Sequence, residues 1–459
     1  MASPEIPVDS VAPGDPGWDD ARQAFNLAVD QRPELIAYPE SAEDVIAVID
    51  FARARDLRVA PQRTGHAAQA IESLVGALLL RTDRLRDVGW PAGTGSSAAG
   101  GVAVDPAART ARIAGGAKWG EVSDAATPHG LAPIAGSSRT VGVAGYHLGG
   151  GLSLVSRKLG LAANAVRAIE LVTADGSLVR TTADDEPELF WALRGGGGNF
   201  GVVTTLEIDL FEIPEIYAGN LLYPAERARE VLHAWREATL TAPDELTLSS
   251  RILQIPDVPG PPPPLRGRSF AVIDAVFLGG ESDAAELLAP LRALDPEIDT
   301  AAPATPDILG RVHMDPEDPV PALTDHVLTG PLPPEAIDAF VDAVGPDSGS
   351  TLVVAELRQT GAALSRPAPG GGALDSLPGD YFGFGVGALM APGTADAVRA
   401  DLDRLREALI PHDAGSYFNF SERPAPISTF FSQDIAARLR AVKDHWDPNN
   451  LFLAGHPID

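Results

Sequence analysis

Polar and apolar positions along this chain follow two textures, with the change near residue 212. In the first part, SAEDVIAVIDFA (41–52) sets Ser41 and Asp44 as a capping box and puts Val45, Ile49 and Ala52 on one helical face. LRVA (57–60) and GALLLRT (76–82) read as short buried strands, GVAVDPAARTARIAG (101–115) as further strands, and AIELVTADGSLVRTT (168–182) as a hairpin turning at Asp175-Gly176. Beyond 212 come long alternating runs: ELTLSSRILQI, SFAVIDAVFLG, STLVVAELRQT and DYFGFGVGALM. Between them lie proline-dense connections such as PDVPGPPPPLRG (256–267) and helical segments such as TADAVRADLDRLREAL (394–409). In the latter Thr394 is placed to cap, and Val398, Leu402, Leu405 and Leu409 share a face. Strands and helices without regular βαβ spacing predict an α+β chain whose second part is an antiparallel sheet with helices on one side.

At 459 residues the chain exceeds what one core holds, so two domains are expected. A formal charge of −28 repels phosphate backbones and anionic lipid, which argues against nucleic acid or a membrane as partner. The count of cysteines is 0, which excludes disulfides, thiol catalysis and zinc–thiolate sites. The N-terminal stretch is acidic and proline-rich, and no run approaches the ~20 apolar residues of a membrane span, so a soluble, cytoplasmic protein is expected. His129, His147, His233, His313, His326, His412, His445 and His456 are scattered without metal-ligand spacing. No metal site is expected, and these eight read as structural or surface residues.

Candidate chemistry lies in three glycine clusters of the first part: the RTGH turn ending at His66, AGSSRTVGVAGYHLGGG (135–151) and LRGGGGNFG (193–201). Glycine loops let a backbone approach a ligand closely and offer free N–H groups to phosphate or ring carbonyls. Residues 196–201, GGGNFG, fit the dinucleotide fingerprint in letters alone. That fingerprint needs a strand before it and a helix after it, whereas LFWALR before is helical in pattern and VVTTLEIDL after alternates as a strand. The three clusters point instead to one extended ligand.

With QRTGH, GSSRTVGVAGYHLGGGLSLVSRKLGLAANAVRAIELVTADG, PELFWALRGGGGNFGVVTTLEI, YFNF and RLRAVKDHWDPNNLF in this order, the chain resembles flavoproteins of the vanillyl-alcohol oxidase and para-cresol methylhydroxylase superfamily, in particular the berberine bridge enzyme-like oxidoreductases. The resemblance implies FAD between two α+β subdomains of a PCMH-type domain, under an antiparallel-sheet substrate domain covered by helices. The implied divisions are an N-terminal segment at 1–32, the FAD-binding domain at 33–211, the substrate domain at 212–411 and a returning tail at 412–459. It implies cofactor contacts from Gln62, Arg63, Thr64, Gly65 and His66, from Gly136, Ser137, Ser138, Val141, Gly142, Gly145 and Tyr146, and from Gly201, Val203 and Asn419. His66 stands where the family's histidine is bonded to the flavin 8α-methyl. Ser138 stands where doubly linked members carry cysteine, so a second thioether bond is chemically excluded. Thr64 replaces a glycine of the usual loop, and GHPI replaces the commoner Asn-His-Asn-Ile at the tail.

The resemblance further implies an FAD-dependent oxidase that moves hydride from an alcohol, sugar, amine or activated C–H carbon to the flavin and returns the electrons to molecular oxygen as hydrogen peroxide. Tyr417, with Asn419 on the same face if YFNF is extended, is the expected proton acceptor; Tyr381 and Tyr146 are the alternatives. A phenol near its usual pKa of ~10 needs a neighbouring cation or hydrogen-bond donors for that role. Val141 matches the family's oxygen-admitting position. A dehydrogenase using another acceptor and a scaffold without turnover are the competing readings.

Overall fold

The capping-box sequence forms a helix over Ala42–Arg53, with the Asp44 N–H donating to the Ser41 hydroxyl (3.1 Å) and the Ser41 N–H to the Asp44 carboxylate (3.2 Å). Ser41→Ala is expected to lower stability by about 1 kcal/mol, seen as an earlier urea midpoint at unchanged slope. The computed structural model describes residues 6–71, 73–89, 99–258, 262–391 and 393–458. Part of the proline-dense 256–267 connection and the start of the N-terminal segment lie outside them.

The helix covers a four-stranded sheet in the order Ser10–Val11, Leu35–Ala37, Ala77–Arg81, Arg58–Gln62, whose last three strands are parallel. Val45, Ile49, Val59, Leu78 and Leu80 form a shared core with Val172 and Val202 of a second sheet. That second sheet is antiparallel, ordered Val102–Asp105, Thr110–Ala114, Val202–Asp209, Val166–Val172, Leu178–Thr181. Its last two strands form the expected hairpin, where the Asp175 carboxylate accepts from the Thr173 hydroxyl (2.6 Å) and the Ser177 N–H (3.0 Å). A helix at Pro187–Leu193 precedes the GGGNFG stretch and the Val202–Asp209 strand follows it, the reverse of the dinucleotide arrangement.

The remaining strands make one large antiparallel sheet, in the order Ile298–Asp299, Ile216–Pro224, Ser269–Phe277, Leu246–Gln254, Val354–Gln359, Tyr381–Ala388, Ala322–Thr329, Asp413–Gly415, with Ala302–Ala304 also pairing to Ile216–Pro224. The sheet therefore runs past residue 411, because Gly415 pairs with Leu328. Alternation assigns its faces. Leu248, Ile252, Ile273, Ala355, Leu357 and Val327 pack with Val231, Trp235, Leu288, Phe340, Leu402 and Leu405 of four helices, Ala228–Leu240, Glu281–Arg292, Pro334–Val344 and Ala395–Leu409. The opposite face turns to the first part of the chain. Thr394 does not cap its helix: its own backbone is already helical, and its hydroxyl donates instead to the Ala391 carbonyl at 2.9 Å.

The tail closes back onto the first sheet. Lys443, buried in the helix Gln433–Trp446, donates to the Asp447 carboxylate (2.6 Å) and the Asn199 carbonyl (2.8 Å). Asp447 accepts in turn from the N–H groups of Leu451 and Phe452, and Val59 pairs with this returning segment through the Leu451 and Leu453 backbones. No helix among the described residues is long and apolar enough to cross a membrane.

Candidate functional site

The strand Arg58–Gln62 runs into a turn at Gly65 with φ +78°, where an added Cβ would lie 2.7 Å from the Ala24 Cβ. Conformation and space both require glycine there, which answers for its pairing with His66. The turn stacks the His66 ring on Phe25, centroids 3.7 Å apart at 17°. Phe25 belongs to the N-terminal segment, to which the sequence reading gave no part in the site. His66 Nε2 is 3.0 Å from the Thr140 hydroxyl, itself 3.0 Å from the Ser138 hydroxyl. Burial lowers the His66 pKa to about 4 against the pull of Asp315, so the imidazole is neutral at pH 7.

The His66 turn forms one wall of a cavity of about 410 Å³. Gln62, Arg63, Thr64 and Gly65 line it with His66, as do Gly136, Ser137, Ser138, Val141, Gly142, Gly145, Tyr146, Gly201, Val203 and Asn419. Around this cavity the backbone N–H groups of Thr64, Gly65, His66, Ser137 and Ser138 have no protein acceptor among the described residues. At Gly145 and Gly198 an added Cβ would meet nothing within 4 Å, so the main chain faces open space. Successive free N–H groups and bare glycine backbone make a donor set suited to a diphosphate and to the ring carbonyls of a flavin. The residues present fit FAD. Arg63 contributes no free charge, because its guanidinium is held by Asp83 (2.6 Å) and the Gly116 carbonyl (2.5 Å).

Tyr417 is the exception among the candidates, since it does not line the cavity. Residues Phe418–Phe420 form a helical turn rather than extended chain, and the Tyr417 ring is fully buried. Burial raises its phenol far above the usual range, and the Asn419 amide and Gly151 backbone only partly offset this. It is a neutral hydrogen-bonding group at neutral pH, and a role as proton acceptor would require a neighbour that lowers its pKa. Tyr146, on the cavity wall, is raised for the same reason, and Tyr381 sits on the helix side of the large sheet, bonded to Thr239 at 2.7 Å. Asn419 donates to the Tyr146 carbonyl (2.8 Å) and approaches the Tyr417 hydroxyl at 3.5 Å. Its Oδ1 lies where a Cβ on Gly149 would fall, 1.8 Å away, so the loop accepts Asn419 only with glycine there.

The large sheet roofs the cavity with a polar face that the sequence reading missed. Arg358 and Glu356 on one strand form a two-bond pair (2.8 and 3.2 Å), and Arg251 on the next strand pairs with Asp274 at 2.6 Å. His313 bridges them, 3.4 Å from Glu356 and 2.8 Å from Asp315, and Asp315 accepts from the Ser137 hydroxyl at 2.7 Å. The roof is thereby tied to the glycine loop beneath it. His313 is buried in this cluster, and His456 lines the cavity with its ring nitrogen donating to the Phe418 carbonyl (3.2 Å), so both have closer parts in the site than expected. Among the described residues no group of three or more His, Asp or Glu is arranged to hold a metal ion. The alternation in AELRQ, which puts Glu356 and Arg358 on one face, was the available signal.

Comparison with known proteins agrees with this geometry. Residues 33–182 match the FAD binding domain family, and residues 416–459 match the family described as berberine and berberine like. The (R)-6-hydroxynicotine oxidase of Paenarthrobacter nicotinovorans is 28% identical over 476 residues, covering 100% of this chain and 98% of the relative. The glucooligosaccharide oxidase of Sarocladium strictum is 34% identical over 209 residues, 44% of this chain and 38% of that one. Among solved structures, wild-type BBE-like 1 of Physcomitrella patens superposes with a TM-score of 0.83 at 19% identity, over 99% of this chain and 97% of the other.

Proposed function

We propose that this chain, which belongs to the berberine bridge enzyme-like FAD-dependent oxidoreductases, works as a cytoplasmic oxidase that carries its FAD on a single bond to His66 and passes electrons from a small organic substrate to oxygen as hydrogen peroxide. Bound FAD supplies the two-electron acceptor and the centre at which oxygen is reduced. The residues of 33–211 and of the tail hold it, and the sheet of 212–411 carries the substrate. The free N–H groups of Thr64, Gly65, Ser137 and Ser138 hold the diphosphate oxygens. His66, kept neutral by burial and oriented by Thr140 and Phe25, would hold the flavin through a ring nitrogen, the new bond replacing an 8α C–H and the imidazole N–H while the two electrons pass into the flavin and on to oxygen. Asn419, fixed by the Tyr146 carbonyl and backed by the neutral Tyr417, orients the ring.

What supports this reading is the convergence on one cavity of residues from four separate stretches of chain, 62–66, 136–146, 201–203 and the tail around Asn419. The absence of cysteine leaves no thiol for a second flavin bond. Val141 lies on the cavity wall, at the position that the resemblance gives to oxygen access. Rapid mixing of the reduced protein with air-saturated buffer tests the oxidase step. Reoxidation within seconds, with one peroxide per flavin, is expected, and Val141→Leu is expected to slow it about tenfold or more, a barrier change of about 1.4 kcal/mol. Reoxidation over many minutes, with rapid turnover on an artificial acceptor, would make the protein a dehydrogenase. The compounds in the two relatives' names, a hydroxynicotine and glucooligosaccharides, are the first substrates to try.

A further inference from the structure

One acidic residue of the cavity has no part in that scheme. Glu422 lines the wall two residues beyond Phe420, and its Oε2 is buried without a hydrogen-bond partner among the described residues. The Thr324 hydroxyl stands beside the carboxyl, close enough to lower its pKa as a donor but without completing a hydrogen bond of good geometry to Oε2. A buried carboxylate oxygen with nothing to accept from is unfavourable, and such groups are normally completed by something else. The same wall carries Phe384 and Phe420, whose rings meet at 88° with centroids 5.1 Å apart. A carboxylate beside an aromatic corner is the environment that holds an organic cation. Arg358 opens on the same cavity, but Glu356 holds its charge in two hydrogen bonds, and Asp315 is engaged by Ser137 and His313. The net charge of −28 draws cations toward the protein.

Resting on the oxidoreductase reading above, we propose that Glu422, Phe384 and Phe420 form the specificity site of this cavity, taking the protonated nitrogen of an amine substrate with Glu422 Oε2 accepting its N–H. Geometry carries the assignment, and the surrounding charges make it testable by pH. Burial raises the Glu422 pKa to about 7, with Thr324 lowering it and Asp325 adding to the rise. Asp325 of the strand Ala322–Thr329 acts on it and is itself paired to Arg423 at 3.4 Å; His326 of that strand has Arg406 of the helix Ala395–Leu409 as a charged neighbour, and His66 and His456 line the same cavity. His66, His326 and His456 are all lowered to about 4, chiefly by burial, and stay neutral where Glu422 changes charge.

Anaerobic titration calorimetry on the holoenzyme tests the site with benzylamine against benzyl alcohol and piperidine against tetrahydropyran. At a pH of about 8 at least one amine is expected to bind about tenfold or more tightly than its neutral counterpart, an advantage that shrinks toward a pH of about 6 as the carboxyl takes up its proton. Glu422→Gln is expected to abolish both the advantage and its pH dependence while leaving the neutral compounds unchanged, and Glu422→Asp to keep part of it. If Glu422→Gln does not fold, Phe384→Leu serves instead, with amine affinity falling several-fold at constant alcohol affinity. Failure of both amines to bind, equal affinity within each pair, or an advantage that survives Glu422→Gln would overturn the proposal. Because calorimetry reads binding without turnover, a protein that selects amines through Glu422 yet makes no peroxide would fail the oxidase reading alone.

Discussion

His66→Ala protein is expected to lose all of its flavin to the supernatant on acid precipitation, whereas the parent chain keeps its yellow colour in the pellet. The expectation rests on one neutral imidazole held between the Phe25 ring and the Thr140 hydroxyl on the wall of the cavity into which the glycine loops converge. With 0 cysteines, the chain has no thiol to form a bond in its place. The N–H groups around Thr64 and Ser137 remain in the variant, so FAD is expected to bind reversibly and to leave on dialysis or gel filtration. Thr140→Val is the milder companion: it removes the partner that orients the ring, and is expected to slow attachment rather than prevent it. Retention of colour by acid-precipitated His66→Ala protein would place the bond elsewhere.

Arg251→Met is expected to remove about 3–5 kcal/mol from the unfolding free energy, the usual penalty for stranding one partner of a buried ion pair. The Arg251 and Asp274 side chains are 3% and 0% exposed, and neither lines the cavity, so the loss registers as stability rather than ligand contact. Asn220 still donates to Asp274 at 2.6 Å in the variant, but it carries no charge to balance the carboxylate. Combining Arg251→Met with Asp274→Asn removes the stranded charge and keeps that hydrogen bond, so the double variant is expected to recover most of the loss in urea titrations. If the double variant is as unstable as the single one, shape rather than charge holds this face. The pair's neighbour His313 adds a pH signature. Burial and Arg251 push its pKa down, but Asp315 and Glu356 outweigh them and raise it to about 9. A group raised in the folded state contributes fully below its ordinary value of 6.5 and loses that contribution as pH climbs through about 9. Thermal melts should therefore weaken on the alkaline side, and less so in His313→Gln.

Local patterns carried much of this structure. The helix at 41–52, the Asp175 hairpin and the alternating strands beyond 212 depend on neighbours within a few positions, which is what periodicity records. The glycine loops were legible for a related reason: Gly65 is fixed by its own backbone angle, whatever lies across from it. The polar roof was not legible, because Arg251, Asp274, His313, Asp315 and Glu356 are brought together only by strand register and by a stretch near 313 with no repeating pattern. Phe25 and Glu422 were missed because each gains meaning from residues far along the chain, His66 for one and the Thr324 and Phe384 strands for the other. Tyr417 shows the converse. Its motif was recognised from local spacing, but a motif carries no burial, and the burial that raises its phenol comes from the folded chain around it.

Intact mass of the acid-denatured chain tests the central claim most directly. A single species heavier than the polypeptide by one FAD is expected, with the added mass on the tryptic fragment containing His66. A mass equal to the polypeptide alone, with the bound flavin released into solution, would contradict it.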